Sequence, residues 1–213
     1  MRDLLLTFAI CGAAACCLAP PAARALTASE AFAKAPARVF PTVDSLTRLD
    51  MLDYFNSGSP KASRNLLRGD CRVTAVSDIR LEFSSSDVSA HTLQLLPTAK
   101  GDTVIMRIST ISTPADDSSV SFYDKSWRPL ERLMREPELD DWLTEEGKKE
   151  RADVENAVPF ILSRASFDPE TSILTITCHP EEYLPEEALP VAKRGLRESL
   201  SYRWDGKKMT PLK

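Results

Sequence analysis

The stretch that decides the fold is LQLLPTAKGDTVIMRISTI, residues 93–111. Leu93 and Leu95 share one face of a strand that runs to Leu96, before Pro97. Lys100-Gly101-Asp102 supplies a turn, after which Val104, Met106 and Ile108 oppose Ile105, Arg107 and Ser109. A period of two on both sides of a short turn reads as two strands, at 91–96 and 103–112. Parallel neighbours need a crossover of a dozen or more residues, so a connection this short makes the pair antiparallel.

Working outward, further strands are expected at 72–76, at 79–83, where Ile79, Leu81 and Phe83 alternate with Arg80 and Glu82, at 119–123 and at 127–130. All are joined by short connections, so the sheet is a meander. Ahead of it, residues 26–35 read as a short helix or ordered tail, and Pro41 opens a helix that Gly58 ends. Val43, Leu46, Leu49, Leu52 and Phe55 recur at helical spacing, the face expected to cover the sheet.

The second part repeats the plan. Residues 139–146, with Trp142 and Leu143 among acids, read as a helix, and 160–167 pairs with 173–178 across Asp168-Pro169-Glu170-Thr171. SVSFYDKSWRPL (119–130) is similar to SLSYRWDGKKMTPL (199–212), and GDTVIMRIST (101–110) aligns with ETSILTITC (170–178). The readings are two tandem helix-plus-sheet repeats, or hairpins that match because turns draw on few residue types. Either gives an α+β fold, an antiparallel meander packed by a few helices, in a single domain over 26–213 with halves at 41–130 and 137–213.

The first twenty-five residues set the compartment. Arg2 precedes an apolar run from Leu4 to Leu18, followed by Pro20, Pro21 and Ala23-Arg24-Ala25, a secretory signal with a small-x-small cleavage site. A competing reading takes Cys16, after Ala13-Ala14-Ala15, as a lipid-attachment cysteine. Ala13 is a poor substitute for the branched aliphatic residue expected there, so cleavage after Ala25 is favoured. The run is shorter than the roughly 20 residues that span a bilayer, and no transmembrane segment is expected in the mature chain.

Of 27 basic and 31 acidic residues, removing Arg2, Arg24 and Asp3 leaves 25 and 30, a net charge near −5. Lysines and arginines are scattered among acids, which argues against a nucleic-acid partner or a phosphate-tracking stripe. Cys71 and Cys178 remain after processing. Each alternates with apolar neighbours on a predicted strand, so they either meet as a core disulfide or stay buried as free thiols.

Chemistry-bearing motifs are sparse. His91 shares a strand face with Leu93 and Leu95, while His179 follows Cys178 directly and points to the opposite face. Two histidines do not make a His-rich metal site. Ser84-Ser85-Ser86-Asp87 reads as a hairpin loop, and the dispersed glycines cradle no phosphate. No catalytic, cofactor-binding or metal residue is assigned, and no cofactor is implied. The carboxylate pairs Asp116-Asp117, Asp140-Asp141, Glu145-Glu146, Glu181-Glu182 and Glu186-Glu187 read as solvated faces, or as the source of a glycosidase pair. Trp127 and Trp204 either pack the sheet or anchor a partner, and packing is favoured because Trp204 alternates with Leu200 and Tyr202.

LTRLDMLDYFNSG (46–58), LQLLPTAKGDTVIMRISTI (93–111) and SSVSFYDKSWRPL (118–130) resemble domain of unknown function 3256, a family of small secreted proteins from Bacteroidales. The resemblance covers most of the mature chain and is strongest over 46–130. It implies a Gram-negative exported protein and carries over no functional residue. The expectation is thus a non-enzymatic binding or interaction module of the bacterial envelope, at the periplasm or cell surface, whose partner is an envelope protein or glycan. The alternative is a carboxylate-dependent hydrolase of envelope glycans.

Overall fold

The computed structural model describes residues 25–212. The signal sequence and the lipidation reading at Cys16 lie outside the described residues. The chain opens with helices α1 (Ala28–Lys34) and α2 (Ser45–Asn56), then strands β1 (Ser63–Arg64), β2 (Asp70–Val76), β3 (Arg80–Ser86), β4 (Ser89–Pro97), β5 (Thr103–Ser112) and β6 (Asp116–Asp124). Helices α3 (Leu139–Trp142), α4 (Glu145–Lys149) and α5 (Arg151–Ala157) follow, then β7 (Ser163–Asp168), β8 (Ile173–Cys178), α6 (Leu189–Gly195), β9 (Ser199–Trp204) and β10 (Met209–Pro211).

The fold is α+β. One antiparallel sheet runs in sequence order from β1 to β6, and a second has the order β10-β9-β8-β7. The deciding stretch forms β4 and β5, paired from Ser89↔Ile111 to Pro97↔Thr103. Gly101 takes φ +79 in the turn between them, a left-handed conformation that costs glycine nothing.

From β4 to β6 the larger sheet is buried on both faces, whereas Arg72 and Thr74 leave one face of β2 exposed. Leu81, Phe83, Leu93, Leu95 and Ile105 join Phe32, Phe40 and Met51 in an outer core beneath α1 and α2. On the opposite face, Leu96, Val104, Met106, Ile108 and Phe122 meet the second sheet and the later helices in an inner core. Alternation explains this directly, since successive side chains of β5 enter different cores. Arg164 of β7 pairs with Asp116 of β6 at 3.0 Å, while Arg80 of β3 donates to the Phe167 carbonyl at 2.8 Å. β7 therefore crosses the strands of the larger sheet instead of following them.

Several expectations change. The apolar stripe of α2 faces outward in part: Leu46 and Leu49 are 68% and 48% exposed, whereas Arg48 is 2% exposed. The guanidinium turns inward because it donates to the carbonyls of Val43 at 2.7 Å and Ala35 at 2.5 Å, tying down the turn between the helices. Residues 127–130 form no strand, only a bridge Tyr123↔Pro129: Trp127, at φ +61, closes the turn that returns the chain to β6, and beyond Leu130 the chain leaves that edge. The helix expected at 139–146 is split by Leu143 (ψ 132) into α3 and α4, and Thr144 caps α4 by accepting from the Gly147 amide. β1, α5 and α6 had no expectation at all.

The two cysteines do not meet. Cys71 lies in the outer core and Cys178 in the inner one, and both are free thiols. The disulfide reading fails because the sheet separates them.

Candidate functional site

Two constellations stand out, one closed and one open. The closed one centres on His91, which β4 turns into the outer core. His91 Nε2 is hydrogen-bonded to Ser85 Oγ and Nδ1 to Ser109 Oγ, each at 2.9 Å. The ring stacks on Phe83 at 4.6 Å and meets Phe40 edge-on at 5.6 Å. Burial, with a smaller contribution from the Arg107 charge, lowers its pKa to about 4. The imidazole is therefore neutral at physiological pH, one nitrogen donating and the other accepting.

A histidine and a serine at this distance form the first two members of a nucleophilic relay. Here the geometry works against one. A histidine held at about pKa 4 is a weak base at neutral pH, and a serine hydroxyl stands where a carboxylate would stabilise an imidazolium. Ser85 itself is buried in β3, not in the loop expected at residues 84–87. The cluster locks β3, β4 and β5 together.

The open constellation is a cleft of about 870 Å³ along the edge strand β6. Residues 117–121 form one wall, the loop before α3 a second, and residues 158–161 a third. Met134, Leu139, Trp142, Ile161 and Ile176 give it an apolar lining, and Asp117, Glu131, Glu136, Glu138 and Glu155 bring carboxylates to it. The cation in the cleft lining, Arg135, is already bound to Asp141 at 2.7 Å and Glu138 at 3.5 Å. Glu155 is held by Arg151 at 2.7 Å. The side chains of Asp117, Glu131 and Glu136 have no ion-pair partner among the described residues, so the cleft carries net negative charge.

The residues singled out from sequence fall elsewhere. Trp127 and Trp204 are buried, 3% and 7% exposed, so neither presents a face to a partner. Trp127 Nε1 donates to the Ala31 carbonyl at 3.2 Å in the outer core, while Trp204 Nε1 donates to the Pro97 carbonyl at 2.7 Å between the sheets. Burial raises the pKa of both thiols, that of Cys71 to about 11, which makes them poor nucleophiles. His179 is paired with Glu181 at 3.5 Å on the surface.

Asp116 and Asp117, adjacent on β6, point to opposite faces and cannot share a cation. Among the described residues, no group of three or more His, Cys, Asp or Glu side chains is placed to hold a metal ion, and no helix is long and apolar enough to cross a membrane. Of the cleft carboxylates, Asp117 is the one already singled out from sequence. Glu131, Glu136, Arg135 and Phe160 become a site only because segments far apart in the chain converge on one strand edge.

Comparison with known proteins places this architecture. A domain of an uncharacterized protein from Porphyromonas gingivalis W83 superimposes with a TM-score of 0.69 at 23% identity, covering 85% of this chain and 97% of that one. At that identity the likeness establishes the fold. No curated protein matches the chain. The family described as protein of unknown function DUF3256 matches residues 22–209. With nearly the whole described chain inside that match, the protein belongs to the DUF3256 family.

Proposed function

We propose that this chain is an exported, non-enzymatic binding module of the bacterial cell envelope, and that the cleft along β6 is where it binds. Export rests on the cation, apolar run and small-x-small site of residues 1–25. The observation that carries the binding role is the cleft itself, whose about 870 Å³ lies in the range typical of ligand sites and joins an apolar lining to unpaired carboxylates at a strand edge. The His91 cluster, by contrast, is committed to internal hydrogen bonds.

Hydrogen–deuterium exchange tests this, comparing the purified protein alone and with an envelope fraction of the organism that makes it. Slowed exchange at 117–121 and 131–139, with the envelope glycans unchanged in length, is expected. Shortened glycans would bring forward the carboxylate hydrolase, and protection confined to other surfaces would remove the cleft from consideration. Cell fractionation tests export, and retention of the chain in the cytoplasm would end that part of the reading.

A further inference from the structure

β6 is the last strand of its sheet, and its free edge is only half covered. The Leu130 amide donates to the Phe122 carbonyl at 2.8 Å, and the Asp124 amide donates to the Arg128 carbonyl at 3.0 Å. These two bonds show that the backbone groups of Phe122 and Asp124 turn away from β5. Alternation then turns those of Val120 and Ser118 the same way. On that side neither Val120 nor Ser118 has a backbone partner among the described residues. The chain thus adds a short strand-like segment to its own edge, leaves it at Leu130, and continues as the opposing wall of the cleft.

An open edge inside a cleft selects an extended chain, because main-chain donors and acceptors repeat only along a strand. The charge of the cleft selects its chemistry. Asp117, Glu131 and Glu136 have no ion-pair partner among the described residues, and Arg135 is neutralised by its own neighbours. Apolar surface at Met134, Leu139 and Ile161 suits the alternate side chains of a bound strand, whose remaining positions face the acids.

We propose that the cleft receives an extended, basic segment of a partner protein, which adds to β6 by pairing with the outward backbone groups of Ser118 and Val120. This rests on reading the cleft as the binding site and names what occupies it. Lysines or arginines of the segment meet Asp117, Glu131 and Glu136, and its apolar residues pack on the cleft lining.

The experiment is selection of short random peptides on the purified protein, followed by titration calorimetry and amide exchange with the selected peptides. The expected peptides alternate Lys or Arg with β-branched residues, slow exchange at the Ser118 and Val120 amides, and weaken by about tenfold as salt rises from low to physiological. Val120→Pro removes an outward N–H that the β5 ladder does not use, so the fold persists while affinity falls by about tenfold or more. Glu131→Gln with Glu136→Gln, both on the surface, weakens the same peptides severalfold without touching the strand.

Peptides that protect the cleft but bind Val120→Pro unchanged would overturn strand addition and leave the cleft reading standing. Selected peptides without basic residues, or a doubled mass in sedimentation with the β6 edge protected by a second copy, would overturn the proposed occupant. Absence of protection anywhere in the cleft would overturn both.

Discussion

Gly147 of α4 lies directly against the backbone of Gly195 at the end of α6: a Cβ built on Gly147 would stand 2.1 Å from the Gly195 carbonyl oxygen. That oxygen accepts from the Thr144 amide at 2.9 Å, and Thr144 Oγ1 also donates to the neighbouring Arg194 carbonyl at 2.7 Å. Neither backbone can withdraw without losing these bonds. A Cβ on Gly195 would instead meet the Val154 side chain, 2.4 Å from Cγ2. Gly147→Ala is therefore expected to destabilise the protein by about 3 kcal/mol, at the upper end for overpacking, and Gly195→Ala by less. Urea unfolding of both variants checks the order, and a larger loss for Gly195→Ala would contradict it.

Arg48 and Leu46 make the same point about α2 in opposite directions. Replacing Arg48 with Met keeps much of the volume but leaves the carbonyls of Ala35 and Val43 without their donor in the core. The expected cost is about 2 to 4 kcal/mol, as for removing charged hydrogen bonds from buried acceptors. Leu46→Ser, on the exposed face, should stay within about 0.5 kcal/mol. A chemical-denaturation midpoint for each variant separates them, and a large loss at Leu46 would restore the stripe predicted from its spacing.

Those two residues also show where sequence reading stops. β5 and β8 were legible to the residue because turns bound each, and β8 also alternates strictly between buried and half-buried positions. The terminal hairpin at 199–212 was legible for the same reason, and it forms β9 and β10. The face of α2 was not, because leucine spacing outweighs a lone arginine until the carbonyls it binds are brought to it by the preceding turn. Residues 127–130 repeat the letters of the later hairpin, yet the chain leaves the β6 edge after one bridge. The cleft was the least legible, since its walls come from 117–121, 131–139 and 158–161, and only the fold makes them neighbours.

His91 gives the protein a specific acid sensitivity. Its folded pKa, about 4, lies below the unfolded value of 6.5. Below pH 6.5 the unfolded chain takes up a proton that the folded chain refuses until about pH 4. Stability from this group is therefore present above 6.5 and is lost as pH falls toward 4, by about 3 kcal/mol across the window. His91→Gln, which does not titrate there, should flatten the pH dependence of the thermal midpoint between those values. A curve as steep as that of the wild type would assign the acid sensitivity to other groups.

Asp116 and Asp117 differ by one position and by their whole environment. The Asp116 side chain is 24% exposed and bonded to Arg164 at 3.0 Å, linking the edge of the larger sheet to the strand that crosses it. The Asp117 side chain points to the opposite face of β6, and the residue lines the edge of the cleft with no ion-pair partner among the described residues. The Arg164 end of the pair is largely in water, so its contribution is small, and Asp116→Ala should cost no more than about 1 kcal/mol. Asp117→Ala should leave stability within about 0.5 kcal/mol while weakening any cationic ligand of the cleft. Measuring thermal unfolding and peptide affinity on the same two variants assigns one carboxylate to the fold and the other to recognition. Equal losses of affinity at both would mean that the cleft reads total charge, without regard to which face of β6 carries it.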